Sequence, residues 1–282
     1  MTIPLTPQDA ARLVEFTEAE AYVDLFRAAP VHLGFQTLSV QSASVLVSPG
    51  LDIPLFNRVL GLGLLEPATE QSIDLILDQF HQHRVRNFFF QISLSSQPPA
   101  LAAWLEARQL TPRDNWAKVY RPAHPPVTTP TDLRIGRISI EHAEEFARVG
   151  CTAFEMPDML RPWLEAAVGR PGWHHFLAWD AALPVACAAL YVTTHRVGWL
   201  GVAATLPSHR RRGAQGALMA QRIHLGAALG CEWLVTETGE DTPQHRFERQ
   251  HPNPSYHNML RTGFQLPYQR PNYFQQQSNQ AL

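Results

Sequence analysis

Alternation of apolar and polar positions is clearest in the C-terminal half of the chain. Trp173–Trp179, Pro184–Thr193 and Val197–Thr205 read as three strands, meandering through turns at Asp180-Ala181 and His195-Arg196. Before them, Asp132–Ser139 reads as a strand, and Glu141–Phe154 and Met156–Val168 as helices. Phe146, Val149 and Cys151 fall on or near one face of the first helix. Ala214, Ala217, Leu218, Leu225, Ala228 and Leu229 recur at helical spacing and predict a helix over Arg211–Leu229, ended by Gly230 at its C′ position. Glu232–Thr236 is the next expected strand. Ser255–Thr262 is a short helix stopped by Gly263, and Phe264–Tyr273 is the last strand.

The N-terminal half repeats part of that order. Val31–Val40, Ala43–Val47 and Phe56–Gly63 are expected strands. Thr69–His83 carries a helical stripe of Ile73, Ile76, Leu77 and Phe80. An apolar strand at Asn87–Ser93, a helix at Pro98–Gln109 and a strand at Asp114–Tyr120 follow. Trp104–Leu110 resembles Asn258–Phe264, and each precedes a polar-aromatic strand, which points to duplication of one domain. Between the halves, Arg121–Thr131 carries four prolines, which exclude helix and central strand, so it reads as a linker. The expected division is residues 1–121, a linker at 122–131, and residues 132–282. The expected class is α/β (α+β): two tandem domains, each a mixed central sheet flanked by helices.

Composition narrows the partners. Hydrophobic residues make up 45% and charged residues 17%, enough for a packed core. A net charge of -2 gives no global pull toward nucleic acid or an anionic membrane, so any anion site must be local. No apolar run is long enough to span a bilayer. The opening residues lack a basic stretch followed by an apolar one, so no signal peptide is expected. Cys151, Cys187 and Cys231 lie far apart and read as buried reduced thiols. His174, His175, His245, His251 and His257 have no metal-ligand spacing, and strand alternation sends His174 and His175 to opposite sides. A cytoplasmic protein without a metal is the expectation.

The stretch Val197–Leu218 carries the candidate chemistry. A strand of small and apolar residues runs into Pro207, and Arg210, Arg211, Arg212, Gly213 and Gly216 follow where a helix begins. Leading helical N–H groups and the helix dipole attract an anion. Arginines there are unfavourable by roughly a few tenths of a kcal/mol each unless an anion is bound. Gly213 and Gly216 lack Cβ atoms, and the expectation is that a phosphate approaches the backbone through them. The spacing is neither a dinucleotide fingerprint nor a nucleotide-binding P-loop.

This stretch resembles the pyrophosphate loop of the GNAT (N-acetyltransferase) superfamily: Arg or Gln, two residues, Gly, one residue, then Gly or Ala, after a strand and Val-x-Pro. Arg210 and Gly213 fill the first two fixed places. Gln215 stands where Gly or Ala is usual, with Gly216 one place later, and Thr205-Leu206-Pro207 replaces Val-x-Pro. The resemblance covers residues 132–273. The N-terminal half resembles the same fold without its loop, since Gly61–Glu70 has no arginine cluster, and is expected to be a degenerate GNAT-like domain. The tandem arrangement is similar to that of mycothiol synthase-like acetyltransferases.

The resemblance implies direct transfer of an acetyl group from acetyl-CoA to an amine of a small molecule or peptide, without a covalent enzyme intermediate. It implies CoA contacts from Ala203, Ala204, Thr205, Arg210, Arg211, Arg212, Gly213, Ala214, Gln215 and Gly216. Asn253 is either a further CoA contact or a helix N-cap. Glu237, then Glu240, is the candidate general base. The usual acid position is Met259, which cannot donate a proton, so Tyr256 is the candidate acid. The vacancy at Met259 also suits an alternative, a CoA or acyl-CoA sensor without chemistry. Tandem relatives that use aminoacyl-tRNA lack a CoA loop in their active half, whereas this chain keeps one. The identity of the acceptor and the choice between monomer and homodimer stay open.

Overall fold

Two strands change places between the halves of the chain. In a computed structural model, which describes residues 5–244, 246 and 252–275, the strands are β1 (Gln36–Val40), β2 (Ala43–Val47), β3 (Arg58–Leu60), β4 (Phe89–Gln91), β5 (Leu110–Pro122), β6 (Arg134–Arg137), β7 (Trp173–Asp180), β8 (Leu183–Val192), β9 (Val197–Thr205), β10 (Trp233–Gly239) and β11 (Gln265–Gln275). The described residues form one mixed sheet in the order β1-β2-β3-β4-β11-β5-β10-β9-β8-β7-β6. The C-terminal strand β11 lies between β4 and β5, and β5 lies between β11 and β10. β5 pairs antiparallel with β10 from Trp233↔Pro122 to Gly239↔Trp116. Each half therefore completes its sheet with a strand of the other.

The helices are α1 (Pro7–Arg27), α2 (Glu70–Gln82), α3 (Leu101–Ala107), α4 (Ala143–Ala153), α5 (Arg161–Ala167), α6 (Ala214–Ala228) and α7 (Pro254–Arg261). α2 joins the parallel pair β3 and β4, and α6 joins the parallel pair β9 and β10, the crossover that parallel strands require. α1, α4 and α5 share a core with Trp199 and Val235 on one face of the sheet. Met219 of α6 and Met259 of α7 pack with Leu200 and Leu234 on the other.

α1 has no counterpart in the periodicity of the sequence. Thr6 caps it, accepting from the Asp9 N–H at 3.1 Å, and it crosses β9, β10, β5 and β11. Its buried residues include Ala10, Val14, Leu25 and Phe26 but also Glu15 and Glu18. A helix covered on several sides with acids turned inward shows no single apolar stripe. Glu18 Oε2 binds Lys118 Nζ at 2.6 Å and Arg270 Nη1 at 2.5 Å, and Glu15 Oε2 binds Arg270 Nη1 at 2.6 Å. Burial pushes the Glu18 carboxyl up, but Arg270 and Lys118 outweigh it and hold the group down at about 2. Arg58 stacks over the Tyr22 ring at 3.6 Å in the same cluster. These charges tie α1, β5 and β11 together at the seam between the halves.

Local boundaries also differ from the sequence reading. β5 runs through Arg121 and Pro122, where the proline count excludes a central strand; at the last position Pro122 withholds one ladder donor only. 3-10 turns at Ile140–His142 and Asp158–Leu160 replace the first turns expected of α4 and α5. α6 begins at Ala214 rather than Arg211, because Arg211 (φ 63) and Gly213 (φ 80) hold left-handed backbone. The three arginines thus precede the helix.

Candidate active site

The site begins where two parallel strands part. β9 and β10 pair only from Trp233↔Val197 to Val235↔Trp199. The Thr236 hydroxyl then donates to Leu200 O at 2.6 Å, and beyond it the strands diverge. Burial follows the opening: along β9 only Val202 and Ala203 are not buried, and along β10 only Glu237, Thr238 and Gly239. Ala204 and Thr205 are buried just past the gap.

Val202 and Ala203 form a β-bulge. Gly201 pairs with Ala189 and Ala204 with Cys187, so two residues of β9 face the single Ala188. Val202 has φ 47, a conformation a β-branched residue holds only where its surroundings enforce it. Gly201 makes room for one enforcing group: a Cβ there would collide with the Trp199 indole. A lone Gly inside a strand signals this kind of close approach, and in the sequence it was the one available clue to the bulge.

The same indole reaches the candidate base. Trp199 Nε1 donates to Glu237 Oε2 at 3.0 Å, and Lys118 Nζ donates to that oxygen at 3.4 Å. No hydrogen bond from a described residue reaches Glu237 Oε1. The side chain is 7% exposed, and burial pushes its carboxyl above the usual range while Lys118 pulls it down. Glu240 is buried beyond the end of β10, where its Oε2 accepts from Asn115 Nδ2 at 3.2 Å. It is thereby tied to β5.

Tyr256 is half-buried on α7, its ring edge-on to His257 at 5.7 Å, and no hydrogen bond among the described residues links it to Glu237. Met259 belongs to the core beneath α6. Asn253 is the N-cap of α7: its Oδ1 accepts from the Ser255 and Tyr256 N–H groups at 3.0 and 3.4 Å, and its Nδ2 donates to Gly239 O at 2.7 Å. The cap fastens α7 to the end of β10. Asp241 reinforces that joint, accepting from the Asn253 N–H at 2.9 Å and meeting His257 Nε2 at 2.7 Å.

At the other side of the gap stands the arginine loop. Arg210 and Arg211 are exposed and make no side-chain hydrogen bond or ion pair among the described residues. Arg212 is held by Asp132 and by Asp180, the latter at 2.6 Å. It clamps the loop to the end of β7 and to Asp132, just past the linker. The glycines have a packing role: a Cβ on Gly213 would strike Pro130 O, and one on Gly216 would strike the Thr129 methyl. They admit the linker, which straps the start of α6. Gln215 Nε2 donates to Thr205 Oγ1 at 2.9 Å. Gly213 is the N-cap and no side chain among the described residues caps α6, so its leading N–H groups, starting at Ala214, have no side-chain acceptor there.

Residues 141–251 match the model of the Acetyltransferase (GNAT) family. Over that stretch the chain is similar to the GNAT family. No curated protein matches the sequence. Among solved structures, a GCN5-related N-acetyltransferase from Kribbella flavida is similar at 17% identity and TM-score 0.66, over 96% of this chain and 97% of that one. A GCN5-related N-acetyltransferase from Sphaerobacter thermophilus is similar at 16% identity and TM-score 0.59, over 97% and 96%. A tandem GNAT protein from the clavulanic acid biosynthesis pathway is similar at 16% identity and TM-score 0.58, over 96% of each chain. The expected GNAT resemblance is thus shown over residues 141–251, and the α/β fold across nearly the whole chain.

The N-terminal half has a parallel crossover like that of α6 but not the gap. β3 and β4 pair only at Arg58↔Phe89 and Val59↔Phe90. Past them, the Gln97 N–H donates to Gly63 O at 2.7 Å and the Ala68 N–H to Gln97 O at 2.8 Å, closing the space. α2 is capped by a reciprocal Thr69–Ser72 pair at 3.0 and 3.1 Å, which occupies the N–H groups of Ser72 and Thr69, whereas no side chain caps α6 among the described residues. Among the described residues no three His, Cys, Asp or Glu side chains are grouped to hold a metal. His174 meets Arg137 at 2.9 Å while His175 is buried against Phe146, on opposite sides of β7; His245 and His251 lie outside the described residues. No described helix is long and apolar enough to cross a membrane.

Proposed function

We propose that the chain is an acetyl-CoA-dependent N-acetyltransferase acting on an amine of a small molecule or peptide, with its site in the gap between β9 and β10. The observation that carries this reading is the pairing, across one strand gap, of a buried carboxylate with an α6 N-terminus and two arginines that have no side-chain partner among the described residues. Arg210, Arg211 and the leading α6 amides, with Ala214 and Gln215, would hold the pyrophosphate. The thioester would lie along the bulge, with Ala203 to Thr205 beside it, and a bulge N–H would face the carbonyl oxygen. A neutral amine attacks the carbonyl carbon; the C–N bond forms, the C–S bond breaks, and the amine proton passes to Glu237. The thiolate takes a proton from Tyr256 or from solvent. Residues 132–282 would form the catalytic unit and residues 1–121 a degenerate GNAT-like unit that lends β5. A cytoplasmic setting suits three buried free thiols.

A second reading, a CoA-binding sensor, is favoured by Met259, which the core claims in place of an acid. Incubating the full chain with acetyl-CoA and a panel of primary amines, and following thiol release together with acetylated product by mass spectrometry, separates the two. Product on any amine supports the transferase. Tight CoA binding without product supports the sensor.

A further inference from the structure

Three other buried cations, Arg58, Lys118 and Arg270, have a carboxylate partner in Glu18, whereas buried Arg121 is held, among the described residues, only by the carbonyl oxygens of Pro122, Pro125 and Thr262. Arg222 on α6 has no carboxylate partner among the described residues, yet it is 1% exposed. Its Nε donates to Leu218 O at 3.2 Å, and its Nη1 donates to Ala189 O at 3.3 Å and lies 3.5 Å from Gly201 O. Nη2 makes no hydrogen bond to a described residue. Ala189 and Gly201 are the last regular ladder pair before the bulge. Arg222 thus grips the sheet one residue ahead of Val202, from the face opposite Trp199.

A buried ion with no counter-charge costs several kcal/mol, of order, and a Met or Leu would fill the same space without that cost. Burial does lower its pKa, to about 9, which still leaves the guanidinium charged at neutral pH. The cost is explained if the matching negative charge exists only during the reaction.

We propose that Arg222 is a positioning residue for acyl transfer, holding the β9 bulge from behind and lending an unpaired positive charge to the place where the carbonyl oxygen becomes negative. The inference rests on the gap being the acetyl site. In a poorly polarisable interior such a fixed charge acts over several ångströms and favours the transition state over the neutral thioester. Trp199 and the Cys187 thiol, whose Sγ lies 3.8 Å from Val202 O, hold the bulge without charge from the other face.

The test compares the full-length wild type with Arg222→Met and Arg222→Lys. Arg222→Met should fold with an unchanged or raised melting temperature, since it removes an unpaired buried charge. Its CoA affinity and KM should stay within about threefold of wild type, while kcat falls roughly 10- to 100-fold. Arg222→Lys, which keeps the charge, should recover most of the rate. Bound acetyl-CoA labelled with carbon-13 at the carbonyl gives an independent readout. Its infrared stretch should lie below the free value in wild type and in Arg222→Lys, and return toward it in Arg222→Met. A folded Arg222→Met with wild-type kcat and carbonyl frequency overturns the proposal, as does an Arg222→Lys chain that loses rate and frequency shift like Arg222→Met. Should Arg222→Met fail to fold, the Lys variant and Arg222→Gln decide by the same two readouts. A carbonyl shift that follows the Arg222 charge, without transfer to any amine, shows Arg222 polarising the bound carbonyl but overturns its role in acyl transfer together with the transferase reading.

Discussion

Trp199 donates its indole N–H to Glu237 across the two strands that part to form the site, at 3.0 Å. The same ring lies against Gly201 beside the bulge, so one side chain sets both the carboxylate and the strand facing it. Trp199→Phe keeps most of the packing with Tyr22 and loses only the donor. A hydrogen bond to a charged group is worth about 1.5–3 kcal/mol, so kcat should fall by roughly tenfold or more with CoA affinity unchanged. Steady-state rates alongside a CoA titration check this.

Glu237→Gln should lower kcat by about 10²–10⁴-fold without weakening CoA binding, the usual size of general-base catalysis. Lys118 keeps Glu18 as partner in this variant, so the fold should survive. Because burial raises the Glu237 carboxyl, the wild-type rate should drop as pH falls through a value above the usual carboxylate range. The deficit of the Gln variant should shrink as pH rises and the acceptor amine arrives neutral. Rates across pH 6 to roughly 9.5 test both slopes; full activity of Glu237→Gln throughout that range excludes it as the base.

Glu18 governs acid stability. Its folded pKa lies below the unfolded value, so its contribution is full above about 4.5 and is lost as pH falls toward about 2. Denaturant melts of wild type should lose stability steeply over that window. Glu18→Gln should be destabilised by about 3–5 kcal/mol at neutral pH, because Lys118 and Arg270 lose a buried partner, and its profile should be flatter in acid. Equal slopes for both chains would contradict this.

Gly213 separates packing from ligand binding. Its φ of 80 and the strike of any Cβ on Pro130 O mean that Gly213→Val should lower the melting temperature with no ligand present. The expected loss is about 1–3 kcal/mol. A normal melting temperature combined with lost CoA binding would support a direct phosphate role for this glycine.

The sequence showed the C-terminal elements well where strands alternate cleanly, as at Val197–Thr205, whose bounds coincide with β9. It hid α1 because Glu15 and Glu18 point inward, toward cations some 40 to 255 residues away in sequence, as Arg58 and Arg270 illustrate. The strand exchange was equally hidden: β5 and β11 each carry an ordinary strand pattern, and nothing local says which sheet receives them. The arginine loop was legible as a motif, but its division of labour was not. Arg212 is set apart from Arg210 and Arg211 by Asp132 and Asp180, one just past the linker and one at the end of β7. Lys118 and Arg222 carry no motif; both matter through burial, which a sequence does not display.

The central claim is that acetyl-CoA binds at the start of α6 through Arg210 and Arg211. Calorimetric titration of CoA into the full chain and into an Arg210→Glu, Arg211→Glu double variant tests it most directly. Wild type should bind one CoA per chain with an affinity that weakens as salt rises. The double variant, melting normally, should bind at least about a hundredfold more weakly, since two charge-assisted contacts become repulsive. Unchanged affinity in the variant, or no binding by wild type, would contradict it.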